Sequence, residues 1–135
     1  MTYFLDTDTC IFALRGERAI KEHMRPMFPK QIKIPAIVRA ELLYGALRSK
    51  EPKQTLVLVE RFLEPFEIIA FGADQAAMHA KIKIELTHKG NLIGPHDLMI
   101  AAIVLSYQGT MITHNVKEFT RVSGLLVEDW MTPSS

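Results

Sequence analysis

Short apolar runs alternate with longer segments of helical pattern along this chain. The short runs are rich in β-branched and aromatic residues. They predict strands at residues 2–5, 32–34, 67–71 and 110–113, with a short fifth edge strand at 125–128. The longer segments predict helices at residues 10–14, 17–24, 36–49, 53–63, 74–89 and 96–107, and a helical turn at 116–120. Strands that alternate with helices predict an α/β fold on a mainly parallel sheet of four to five strands.

Size and composition are those of an ordinary globular domain. The chain has 135 residues, of which 48% are hydrophobic and 23% charged, so we expect one domain over residues 1–135 with its last few residues, 132–135, frayed. The single cysteine, Cys10, excludes an internal disulfide and suggests the reducing cytoplasm. Asp6 and Asp8 interrupt the first apolar run too early for a signal peptide. The apolar run 98–105 is too short to span a membrane, so we expect no membrane segment.

Charge is unevenly distributed along the chain, although the formal net charge is only +1. Residues 1–53 contain ten Lys and Arg against six Asp and Glu, whereas the remainder contains six against nine. A basic half around an acidic pocket suits a ligand with a phosphate backbone. A solvated helical face would produce the same count, so both interpretations stay open at this point.

Acidic and amide side chains follow several of the predicted strands. Asp6 comes directly after the first strand, and Glu41 lies two turns after the second. Asp97 opens the apolar helix that leads into the fourth strand, and Asn115 and Glu118 lie just beyond that strand. Ligands of parallel sheets collect outside the carboxyl ends of the strands. We therefore expect the fold to bring these five residues together in one site.

Most of these residues also have a purely structural explanation. Asp6 could simply cap the next helix, although Asp8 would then place a second, repelling acid in the same tight loop. Asp97 would be stabilised by the helix dipole in a first turn. Glu118 could be a solvated residue. Asn115 offers a weaker neutral oxygen ligand, or a holder for metal-bound water.

Glu41 is the most informative of the acids. It and Arg39 are the only charged residues in the segment 36–47. At about 100° per residue their side chains point roughly 200° apart, so they cannot share one solvated face. One of them projects from an otherwise apolar side, where an unpaired carboxylate is costly. A metal ligand, a buried ion pair or a position at the helix edge would each account for Glu41.

Oxygen ligands without a cysteine cluster favour Mg²⁺ or Mn²⁺. Such an ion activates a water molecule and stabilises the leaving oxygen of an in-line displacement at phosphorus. His96 and His114 flank two of the acids, but the five histidines lack the spacing of a zinc site. The sequence also lacks a phosphate-binding P-loop, a dinucleotide-binding fingerprint and a serine-hydrolase elbow.

Four segments resemble, in order and spacing, the PIN-domain ribonucleases, and most of all the VapC toxins of bacterial toxin–antitoxin pairs. They are LDTDT at 5–9, AELLYG at 40–45, GPHDLMIA at 94–101 and THNVKEF at 113–119, and the resemblance covers essentially the whole chain. It implies a three-layer α/β/α sandwich and an endoribonuclease that uses Mg²⁺ or Mn²⁺ to cut structured RNA, with tRNA favoured. It also implies a homodimer and a VapB-like antitoxin whose tail occupies the active site.

The resemblance also assigns roles to individual residues. It implies that Asp6, Glu41, Asp97 and Glu118 bind metal, and that these four act in catalysis together with Asn115. The metal-activated water would attack the scissile phosphate in line and leave a 5′-phosphate and a 3′-hydroxyl. The RNA that is cut would be chosen by loop residues such as those of the segment 15–25.

The sequence departs from the family pattern at a few positions. Asp8 stands where Asn or Ser is usual, which adds a negative charge, and Asn115 stands where many PIN domains have a fourth Asp. His96 replaces an aromatic residue, which would affect substrate packing rather than metal binding. Thr7 and Thr113 match the small hydroxyl positions of the family.

Two alternatives belong to other functional classes. Asp6 and Asp8 also match the opening of haloacid-dehalogenase-type phosphatases, but Asp97 lacks the acidic partner which that family requires. The second alternative is a catalytically impaired PIN-like module that acts only through its antitoxin, for which the extra charge of Asp8 is the argument. This alternative predicts that Asp6→Ala leaves any effect of the protein on RNA or on cell growth unchanged.

Overall fold

The computed structural model describes residues 1–133 of the chain. Within this range there are five β-strands: β1 (Tyr3–Leu5), β2 (Ile32–Pro35), β3 (Glu67–Ile69), β4 (Thr110–Ile112) and β5 (Leu126–Glu128). The same range contains seven α-helices: α1 (Thr7–Leu14), α2 (Arg18–Met24), α3 (Ala36–Leu47), α4 (Pro52–Leu63), α5 (Ala73–His88), α6 (Pro95–Ser106) and α7 (Val116–Phe119). A short 3₁₀ turn, Pro29–Gln31, leads into β2.

The strands form one parallel sheet in the order β3-β2-β1-β4-β5. The chain steps outward from β1 to β2 and β3, crosses back to β4 beside β1, and then steps to β5. Helices α1 to α4 pack on one another, as do α5 and α6. With this strand order, the right-handed crossovers of parallel sheets put the two groups of helices on opposite faces. The predicted three-layer sandwich is confirmed, and all five strands within residues 1–133, including the fifth, are parallel.

Helices on both faces explain why the central strands are apolar throughout. Phe4 and Leu5 of β1 and Met111 and Ile112 of β4 are fully buried, as expected for a parallel sheet covered on two sides. Helix α6 is apolar all round for the same reason, with every residue from Ile100 to Val104 buried. These strands and this helix form the rigid centre from which the polar strand ends project.

Helix α1 begins three residues earlier than predicted. Its first residue is Thr7, and Asp6 is the N-cap, whose carboxylate accepts a hydrogen bond from the Thr9 amide at 2.9 Å. Asp8 consequently lies exposed in the first turn, where the helix dipole favours a negative charge. The predicted start at residue 10 was wrong because it followed the apolar pattern alone. The hydrogen bond from the Thr9 amide to the Asp6 side chain lets the helix begin at Thr7.

Smaller differences occur at other element ends. Strand β3 ends at Ile69 instead of residue 71, and α3 ends at Leu47 instead of residue 49. Pro52, which reads as a turn in the sequence, is the first residue of α4. A proline suits that position, because the first amide of a helix needs no intrahelical partner.

The end of the described chain folds back onto α2. The His23 ring stacks on that of the buried Trp130 with 5.5 Å between ring centroids, and its Nε2 donates to the carbonyl of Thr132 at 2.9 Å. Thr132 is therefore held in place, whereas the prediction of fraying at residues 134–135 falls outside the described residues. Within residues 1–133 no helix is both long and apolar enough to cross a membrane.

Candidate active site

Asp6 forms the buried floor of the site, at the carboxyl end of β1. Its residue exposure is only 6%, and its backbone amide donates to the carbonyl of Ile112 at 3.1 Å, which extends the pairing of β1 with β4. The amide of Thr9 and the hydroxyl of Thr113 both donate to its carboxylate. Burial raises the pKa of Asp6 above its usual value, and these hydrogen bonds oppose that rise. Capping and a site position are thus compatible roles for Asp6.

Glu118 lies in α7, the short helix that follows β4, and two donors hold its carboxylate. The backbone amide of Gly94 donates to Oε1 at 3.1 Å, and Nδ2 of Asn115 donates to Oε2 at 2.7 Å. The Asn115 and Gly94 contacts lower the pKa of Glu118. The backbone N–H of Asn115 donates to Oγ1 of Thr113 at 2.9 Å, which links Glu118 to the floor. Asn115 thus orients Glu118 through its side-chain amide.

Asp97 occupies the centre of the carboxylate group, in the first turn of α6. It shares a hydrogen bond with Glu118, and it is close enough to Asp6 and Glu41 to be affected by their charges. Burial, followed by the negative charge of Glu118, raises the pKa of Asp97 to about 7. A cation bound beside Asp97 would oppose both causes, because it would stabilise the charged form of a partly buried carboxyl group among other acids.

Glu41 forms an open wall of the site, on the face of α3 that looks toward α1 and α6. Its Oε1 accepts from the Thr7 hydroxyl at 2.5 Å, and its Oε2 accepts from Nδ1 of His96 at 3.0 Å. Arg39 points to the other side of α3, where it pairs with Glu60 of α4 at 2.8 Å. The sequence-based argument that Arg39 and Glu41 do not share a face is confirmed.

The predicted residues therefore converge at one edge of the sheet, where the strand order reverses between β1 and β4. Glu41, Gly94, Pro95, His96 and Asp97 line an open pocket of about 310 Å³ there. Asp8 is the exception among the acids of the opening motif, since it points to solvent. Its negative charge contributes least to the pKa of Asp6.

Some contacts were not foreseen from the sequence. The hydrogen bond by which His96 holds Glu41 joins residues 55 positions apart, so no local pattern predicts it. His114, which flanks the acids in the sequence, donates from Nδ1 to Oδ2 of Asp129 at 2.9 Å, and its ring meets Phe12 edge-on. Asp129 directly follows β5, and this strand-end position was the one signal that pointed to it.

The donor set fits a hydrated divalent cation. Within residues 1–133, no three His, Cys, Asp or Glu side chains are placed so that all could bind one ion directly. The four site carboxylates instead hold hydrogen bonds to neighbouring groups. Hard oxygen donors that surround a space with few direct contacts suit a small cation that keeps several of its waters.

Comparison with known proteins identifies the chain. Residues 3–125 match the model of the PIN domain. The chain belongs to the PIN-domain family. It is 37% identical over 134 residues to the tRNA(fMet)-specific endonuclease VapC of Salmonella typhimurium, covering 96% of this chain and 98% of the relative. It is 36% identical over 132 residues to the ribonuclease VapC2 of Rickettsia felis, with the same coverage of both chains.

Solved structures agree with this assignment. The PIN-domain chain superposes on a chain of the VapBC2 complex of Rickettsia felis, crystallised with a promoter DNA fragment, with a TM-score of 0.91 and 34% identity. The match covers 96% of this chain and 99% of that chain. Within the PIN-domain family the chain thus stands among the ribonucleases of VapC type, and PIN-domain nucleases use divalent metal ions. The haloacid-dehalogenase-type phosphatase alternative is therefore wrong.

Proposed function

We propose that the chain is the endoribonuclease toxin of a toxin–antitoxin pair and that it hydrolyses RNA phosphodiester bonds with Mg²⁺, or with Mn²⁺ in its place. The observation that carries the proposal is the convergence of Asp6, Glu41, Asp97 and Glu118 at the point where the strand order reverses. The membership of the PIN-domain family supports the same conclusion. A catalytically impaired module would have no use for four converging carboxylates, three of which, Asp6, Glu41 and Glu118, are held by specific donors.

The metal would be held by oxygen atoms of Asp6, Asp97, Glu41 and Glu118, directly or through water. When bound, Mg²⁺ supplies a water made acidic enough to attack phosphorus and a positive charge that stabilises the leaving oxygen. The chain's own residues arrange the site for this step. Asp6 is immobilised by the floor contacts, and Asn115 orients Glu118, which in the metal-free site accepts a hydrogen bond from the Asp97 carboxyl group.

The wall contributes to substrate placement. Thr7 and His96 hold the Glu41 carboxylate toward the pocket, so that an RNA phosphate approaches between Glu41 and Asp97. Attack in line with the 3′-oxygen breaks the P–O3′ bond, which leaves a 5′-phosphate and a 3′-hydroxyl. A 2′,3′-cyclic phosphate would instead indicate attack by the ribose 2′-hydroxyl, and it would contradict this mechanism.

The substrate and partners follow from the relatives. The Salmonella relative is a tRNA(fMet)-specific endonuclease, and we propose a tRNA as the substrate of this chain too, cut in the cytoplasm. The superposed chains come from VapBC complexes, which supports a VapB-like antitoxin as the partner. We further propose that the toxin forms a homodimer.

Cleavage of purified tRNA tests the proposal. The toxin would be freed from its co-expressed antitoxin and assayed with Mg²⁺ and with EDTA, and the new 5′ ends would be sequenced. We expect Mg²⁺-dependent cuts that are lost in Asp97→Asn. Asp74→Asn is the matched control, because Asp74 also lies in a first helical turn but is exposed on α5. Equal cleavage by Asp97→Asn and the wild type would refute the site assignment.

A further inference from the structure

A groove leaves the acid site along α3. It starts at Glu41 and is bounded by Ile11, Ile37, Ala40, Tyr44, Gly45 and Arg48, with a volume of about 550 Å³. We call it the α3 groove. Its walls are largely apolar, and Thr7 and His96, which hold the Glu41 carboxylate, also line it. Whatever lies in the α3 groove is therefore adjacent to the proposed point of cleavage.

One face of α3 presents an aromatic ring and a cation to this groove. Glu41, Tyr44 and Arg48 follow at intervals of three and four residues, so they share a helix face that extends about 10 Å from acid to base. Tyr44 is 64% exposed, so its ring is accessible to a ligand in the groove. The Arg48 guanidinium carbon lies 5.3 Å from the centroid of the Tyr44 ring, a cation–π contact that fixes the ring orientation.

The floor of the groove is bare backbone. Gly45 lies between Tyr44 and Arg48, and a Cβ placed on it would meet no atom within 4 Å. A flat ligand can therefore approach the helix closely at this point. A nucleobase has that shape, with two apolar faces and a polar edge.

We propose that the α3 groove binds the RNA nucleotide next to the scissile phosphate, with its base stacked on Tyr44 and its phosphate paired with Arg48. The inference rests on the proposed ribonuclease function and adds a substrate subsite to it. Single-stranded nucleic acid is commonly held by an aromatic platform and a nearby cation. Charge supports the same assignment, because the free acid site repels phosphate, and a cation two turns away on α3 would draw the RNA strand across it.

Binding without cleavage gives the cleanest test. In an Asp97→Asn background, the RNA would be a cleavage-site oligonucleotide with 2-aminopurine beside the scissile bond, whose fluorescence falls on stacking. Tyr44→Ala should weaken binding by roughly tenfold and abolish the quenching, because one stacked base is lost. Tyr44→Phe retains the ring and should bind within about twofold of its parent. Arg48→Ala should lower the slope of log Kd against log salt by about one.

Tyr107→Ala is the matched control, since Tyr107 is also an exposed tyrosine at a helix end but packs on Phe4 at the opposite edge of the sheet. The proposal is overturned if Tyr44→Ala binds and quenches like Tyr107→Ala. If Tyr44→Ala then weakens only the affinity for the antitoxin, the groove belongs to that protein. Cleavage by the wild type is measured separately, and its absence would refute the proposed function whatever the Tyr44 variants show.

Discussion

The two sides of the acid site are built differently. On the floor, Asp6 is 6% exposed and is held by the amide of Thr9 and the hydroxyl of the fully buried Thr113. On the wall, the Glu41 side chain is 32% exposed and is held by Thr7 and by a His96 ring that is itself 58% exposed. Floor contacts thus involve strand ends and backbone, whereas wall contacts join side chains of separate helices.

This difference separates fixed from adjustable parts of the site. A carboxylate at the end of a central strand cannot move without disturbing the sheet, so the floor sets where a cation lies. A carboxylate on a helix face changes rotamer at little cost, so the wall can follow the substrate. Floor substitutions should accordingly cost more than wall substitutions of the same chemistry.

The largest contrast is expected in the rate of RNA cleavage, between neutral replacements of the floor carboxylate Asp6 and of the wall carboxylate Glu41. Asp6→Asn should lower the rate of RNA cleavage at least about 100-fold, because several kcal/mol of metal-dependent stabilisation of the transition state are lost. Glu41→Gln should lower it roughly tenfold, as for a residue that acts from a more distant position. Single-turnover cleavage of tRNA measures both. Equal losses would show that the wall binds metal as directly as the floor.

Removal of a hydroxyl extends the comparison to stability. Thr113→Val should lower the free energy of unfolding by about 1–3 kcal/mol, because the buried Asp6 carboxylate loses one of its donors and the backbone amide of Asn115 loses its acceptor. Thr7→Val should cost about 1 kcal/mol or less, since the Glu41 carboxylate can still be solvated. Urea unfolding in EDTA would reveal the difference, and a larger loss at Thr7 would reverse the comparison.

Asp97, between the two sides, makes the metal-free stability depend on pH. Its pKa of about 7 exceeds the ordinary value of 3.8, so between these values the folded protein binds more protons than the unfolded chain. Stability should therefore fall as pH rises from about 4 to about 7.

The variant Asp97→Asn should lack this pH dependence. Above pH 7 its free energy of unfolding should exceed that of the wild type by about 1–2 kcal/mol, which is less than the full pKa shift implies because solvent screens the half-buried carboxyl group. Thermal unfolding of both proteins in EDTA across this range measures the effect. Parallel curves for the two proteins would contradict it.

Substitution of the groove floor should have the smallest effect. Gly45→Ala should raise the free energy of unfolding by about 0.5–1 kcal/mol, because Gly45 lies inside α3 with open space around it. Gly124→Ala is the control, since Gly124 has a φ of +80° and an alanine there should be destabilising. A loss of stability in Gly45→Ala would mean that the groove floor is more crowded than described.

The floor was the part that sequence predicted best. An apolar run that ends in an acid identifies both β1 and Asp6, and the apolar helix beginning near Asp97 is equally clear. The angular argument on α3 singled out Glu41. The donors that hold these carboxylates were not predicted, because Gly94 and Glu118 are 24 residues apart. Such contacts depend on how whole helices and strands pack together, and no local sequence pattern encodes that packing.

The position of β1 has a consequence for the synthesis of the protein. This strand leaves the ribosome first, yet it lies between β2 and β4, and the Asp6 amide is paired only when Ile112 arrives. Glu118 follows later still, so the carboxylates cannot assemble until 118 of the 135 residues have emerged. A nascent chain that stalls before residue 118 therefore lacks a complete acid site.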